Sequence, residues 1–86
     1  MSRTNYLNDL IKSKLLGFDG VSSTDGVKIT EEDEEYSVVI NIRVYYGVNI
    51  PQLCYDIQTG LIKHAAEMGG FDVKKVDIEV EGIDER

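Results

Sequence analysis

Eighty-six residues with 42% apolar content and one cysteine describe a single small domain, too short to hold a second one. The formal charge is −7, from 16 acidic against 9 basic residues, and only Lys74 and Lys75 stand side by side. That balance speaks against direct binding to nucleic acid or to an anionic membrane surface, both of which want clustered cations.

The lone Cys54 forms no internal disulfide and fits a reducing compartment. No apolar run reaches the roughly 18–20 residues that span a bilayer, and the N-terminus reads as lacking a secretory leader. The expectation is a soluble, cytoplasmic protein without direct membrane insertion.

In chain order, Thr4 reads as the cap of a first helix, with Leu7, Leu10, Ile11 and Leu15 at the helical period and Gly17 as its terminator. Gly20, Ser22, Ser23, Asp25 and Gly26 read as turn-rich, with at most a short strand near Val21. Val27–Ile29 reads as a strand. The five consecutive carboxylates Glu31–Glu35 read as a solvated hairpin loop; they lack the alternation and the glycine of a calcium loop.

The clearest signal is period two over Tyr36–Tyr46. Tyr36, Val38, Ile40, Ile42, Val44 and Tyr46 form an apolar face, against Ser37, Val39, Asn41, Arg43 and Tyr45 on the other. Gly47 then breaks the strand, Asn49 caps a second helix with Gln52 three positions on, and Pro51 falls in its first turn. Ile50, Leu53, Cys54, Ile57, Leu61, Ala65 and Met68 make its apolar stripe, and Gly69-Gly70 end it. Val76, Ile78 and Val80 alternate with Asp77, Glu79 and Glu81 in a last strand, followed by a frayed Asp84–Arg86 tail.

The strand–helix–strand order predicts a right-handed βαβ unit with parallel strands, and Val27–Ile29 joins the long strand as a hairpin. The fold class is α+β, a two-layer α/β sandwich in αββαβ order. Its small mixed sheet has both helices on one face and the other face open.

No catalytic constellation, cofactor loop or metal cluster is legible. His64 has no partner at helical spacing, and Cys54 lies on the apolar stripe, although the nearby helix start would lower its pKa. Gly47-Val48-Asn49-Ile50-Pro51 lacks the glycines and lysine of a phosphate loop, so it reads as strand exit plus cap. Five tyrosines without a basic groove make a poor stacking platform for bases.

Tyr45-Tyr46-Gly47-Val48-Asn49-Ile50-Pro51, the helix from Leu53 to about Met68, and Val76-Asp77-Ile78-Glu79-Val80-Glu81-Gly82 resemble the alkaline shock protein family. These are small general-stress and cell-envelope proteins of Gram-positive bacteria, and the likeness is closest over Val38–Gly82. Against the family pattern, the N-terminus reads as trimmed and no long tail follows. The resemblance implies a non-enzymatic scaffold that self-associates and is recruited to the membrane periphery by a small membrane-anchor protein. It carries over no catalytic residue, and Gly47, Asn49 and Pro51 transfer as a structural turn.

The open sheet face is the candidate self-association surface, with Val39, Arg43, Tyr45 and Glu79 as its residues. A solvated face with a scattered Val and Tyr is the competing reading. Two other functions remain open: a small-molecule-binding or enzymatic module at the Asn49–Cys54 helix start, and an RNA-binding domain, which the charge disfavours.

Overall fold

A computed structural model describes residues 3–86. The elements follow in the order α1 (Arg3–Leu15), β1 (Val21–Glu32), β2 (Glu35–Tyr45), α2 (Ile50–Gly69) and β3 (Asp72–Asp84). The sheet order is β1-β2-β3, with β1 antiparallel and β3 parallel to the central β2. Both helices cover one face, α1 over β1 and α2 over β3, as the αββαβ reading predicts.

β2 sits in the middle because its side chains leave it no alternative. Tyr36, Val38, Ile40, Ile42 and Val44 are all buried at period two, so one face of the strand must be covered along its whole length. Leu7, Ile11 and Leu15 of α1 and Leu53, Ile57, Leu61 and Ala65 of α2 supply the cover. Phe71 closes one end. It follows the left-handed Gly70 that caps α2, and its ring packs edge-on against Tyr36 at 5.3 Å.

Several expectations are corrected. β1 is a twelve-residue strand rather than a turn-rich stretch, because pairing with β2 overrides the local preference of its Ser, Asp and Gly residues. Two bulges, one at Ser22 and one at Asp25, absorb the misfit. The carboxylate run is not a loop: Glu31 and Glu32 end β1, Glu35 starts β2, and only Asp33-Glu34 turn. Both turn residues have positive φ, 53° and 67°, as a two-residue hairpin demands.

α1 begins by Arg3, which places Thr4 inside the first turn rather than at the cap. Gly17 does not take the left-handed conformation; Gly20, with φ of 107°, does. Tyr46 is 79% exposed, because β2 ends at Tyr45 and the chain turns before the core phase continues. Met68 is 56% exposed in the last turn of α2. The tail is not frayed at Asp84, which is the last residue of β3 and whose carbonyl accepts from Tyr46 N at 2.8 Å.

Candidate interaction face

The helix-free face is built by the alternate residues of the three strands. Lys28 of β1 lies opposite Val39 of β2, which lies opposite Asp77 of β3; one step on, Asn41 lies opposite Glu79. Val39, Arg43 and Tyr45 are half-buried and Glu79 is exposed, so the four candidates share one face as their spacing predicts.

Arg43 does not pair with Asp77, Glu79 or Glu81, the carboxylates that the alternation offers. A bulge in β3 leaves Glu81 without a partner on β2: Val80 stands opposite Ile42, and Gly82 opposite Arg43. The guanidinium therefore crosses Gly82 and binds Asp84, with Nε 3.2 Å and 3.0 Å from the two carboxylate oxygens and Nη2 2.8 Å from Oδ1. A Cβ on Gly82 would overlap that guanidinium. Ser22 Oγ donates to the same carboxylate. Together Arg43 and Ser22 hold Asp84 down at about 2, well below a free aspartate, and Asp84 raises Arg43 further above its ordinary value. Asp25 and Glu81 act on Arg43 only through their fields.

The C-terminal residues order the neighbouring anchor as well. Arg86 stacks on Tyr45, with its guanidinium carbon 4.6 Å from the ring centroid, while Nη2 bonds Asp19 at 2.8 Å. Lys74 bridges Glu35 and Asp72, and Lys75 pairs with Asp77 at 3.5 Å. Most charges on this face are thus matched within the chain. Among the described residues, Lys28 and Glu79 form no ion pair.

The turn residues do structural work. Gly47 has φ of 91°, and Asn49 Oδ1 accepts from Gln52 N at 3.1 Å. The Gln52 side chain reaches forward to Asp56 rather than back to the cap, so only half of the capping box forms. Cys54 is half-buried and desolvation raises its thiol pKa, against the lowering expected from the helix start. His64 lines a cleft of about 240 Å³ with Lys14 and Phe18. Among the described residues no three His, Cys, Asp or Glu side chains gather as a metal site, and no helix is long and apolar enough to cross a membrane.

Helices on one side and ordered ion pairs with half-buried Val39 and Tyr45 on the other define a small α+β module with one sheet face left uncovered. The chain belongs to the alkaline shock protein 23 family, of cell envelope-related function, which it matches over residues 1–85. The comparison with curated proteins gives no match.

Among solved structures it is similar to the metal-bound C-terminal domain of the CzcD transporter from Thermotoga maritima. That likeness has 24% identity and a TM-score of 0.77, covering 95% of this chain and 94% of that one. It is also similar to two variants of the MamM C-terminal domain, each at 11% identity and a TM-score of 0.69. They cover 94% of this chain and 99% or 98% of theirs. At such identities the likeness shows the fold alone, and the metal belongs to the CzcD domain.

Proposed function

We propose that this protein is a non-enzymatic scaffold of the cell envelope, working on the cytoplasmic side and held at the membrane periphery by a small membrane-anchor protein. It self-associates through the helix-free sheet face. The observation that carries the reading is the state of that face: Val39 and Tyr45 offer apolar area on either side of an Arg43 that Asp84 already holds in place. Pre-ordered Arg and Tyr side chains lose little entropy on association.

The charge pattern suits a second copy. Among the described residues Lys28 and Glu79 form no ion pair, and they are opposite in sign and on opposite edges of the same face. A two-fold axis lying in the interface and parallel to β2 sets β1 of one copy over β3 of the other, bringing Lys28 towards the second copy's Glu79.

Sedimentation of the 9.7 kDa chain tests this. The parent sediments as a dimer or larger, and Val39→Glu with Tyr45→Lys leaves circular dichroism unchanged while reducing it to a monomer. A parent that stays monomeric at high micromolar concentration would falsify the proposal.

A further inference from the structure

At β3 the edge of the sheet sets a bare strand beside an uncharged flank of α2. β3 has β2 as its one neighbour among the described strands, so its outer main-chain groups have no strand to meet. We infer that this edge binds a short extended segment of a partner protein, added beside β3, whose lysines or arginines alternate with branched apolar residues.

The helix side of this edge is apolar. Ile78 and Val80 stand opposite the buried Ile40 and Ile42, so they point to the helices, and both stay half-buried at the rim of the core. Gln58 Nε2 donates to the Val76 carbonyl at 2.9 Å, which turns that flank of α2 towards the edge. Tyr55 and Ile62 lie three residues before and four after Gln58, on the same flank, and are 61% and 36% exposed. Cys54 and Ala66 complete the flank, which carries no charged side chain.

The helix-free side is acidic and selects the partner's sign. Asp77 is matched by Lys75 at 3.5 Å, while Glu79 and Glu81 form no ion pair among the described residues. The chain's net charge of −7 adds to their field. An added strand thus meets carboxylates on one side and apolar groups on the other, which suits basic residues alternating with apolar ones. The β3 of a second copy does not fit, because an antiparallel pair would set carboxylate against carboxylate. Register shifts at Lys74 and Glu81 confine the regular stretch to residues 75–80, so the added segment is short. Glu79 borders the self-association face as well, but binding here does not depend on self-association: the main-chain edge and the α2 flank belong to this site alone.

The probe is a peptide alternating lysine and valine, matched in length to residues 75–80 and titrated into the whole protein by NMR. Amide resonances of residues 76–80 should move, and binding should be severalfold tighter than for the same composition with its lysines grouped together. Glutamate in place of the peptide's lysines should abolish binding. Glu81→Lys should weaken the peptide by roughly fivefold. Tyr55→Lys should weaken it too, by repelling its lysines and removing an apolar contact. Both side chains are exposed, so neither substitution should move the melting temperature much. Equal binding of the grouped peptide, shifts centred on the Asp33-Glu34 turn, or indifference to both substitutions would overturn the proposal. So would amide protection of residues 76–80 that grows with protein concentration in the absence of peptide, which would mean that a second copy fills the edge.

Discussion

The guanidinium of Arg43 lies across the bare backbone of Gly82 and grips the carboxylate of Asp84, two positions further along β3. The glycine is therefore a spacer for a side chain rather than a flexible joint: its backbone lies outside the left-handed region. Gly82→Ala should dislodge Arg43 and free the end of β3. The expected result is a lower melting temperature together with faster amide exchange at Ile83 and Asp84. Unchanged exchange at those two amides would mean that the strand end is held without the ion pair.

The same pair sets an acid limit. Because Asp84 titrates at about 2 in the folded chain and near 3.9 in an unfolded one, its contribution is fully present above about pH 4 and fades as the pH falls towards 2. Asp84→Asn should melt below the parent at pH 5–7, and the gap should close by about pH 2. A gap that persists at the lowest pH would assign the loss to packing instead of charge. The pair is partly exposed, so salt should narrow the gap as well.

Glu34 adopts φ of 67° in the β1–β2 turn without being a glycine or an asparagine. Glu34→Gly relieves that conformation and turns Asp33-Glu34 into the Asp-Gly sequence that two-residue hairpins prefer. The denaturation midpoint should rise, by the equivalent of roughly 0.5–1 kcal/mol in stability. A fall would show that the carboxylate itself supports the turn.

Phe71 seals the core between Tyr36 and the end of α2, with Arg3 stacked 4.6 Å from its ring centroid. Phe71→Ala should cost about 3–5 kcal/mol, a large share of what a domain of this size has. Chemical denaturation should show the midpoint falling sharply.

What the sequence discloses is what one residue and its near neighbours decide. The buried face of β2 is legible because a single strand carries the whole alternation, and Asn49 is legible because the cap and the Gln52 N–H that donates to it lie within one turn. β1 is hidden because its Ser, Asp and Gly residues prefer turns until β2 offers a partner. Tyr46 misleads because period two continues one residue past the point where the chain bends. On the candidate face, Val39, Arg43, Tyr45 and Glu79 follow from the pleat alone. Asp84 does not, because it lies 41 residues from Arg43 and reaches it only through the shift at Glu81, which no periodicity records.

The opposite charges of Lys28 and Glu79 give the sharpest test of the assembly. Lys28 and Glu79 are exposed on outer strands of the sheet, so reversing either should leave the monomer's melting temperature nearly unchanged. In a two-fold dimer with β1 over β3, each substitution acts twice. Lys28→Glu places like charges together at both ends of the interface, and so does Glu79→Lys. Either alone should weaken self-association, and the pair in one chain should restore it, because the reversed charges face each other again. Sedimentation equilibrium of the four proteins at low salt reads the result directly. Restoration that disappears at high salt would mark the contact as electrostatic. If the double variant is as weak as the worse single one, β1 and β3 do not face each other across the interface, and the two-fold arrangement is wrong.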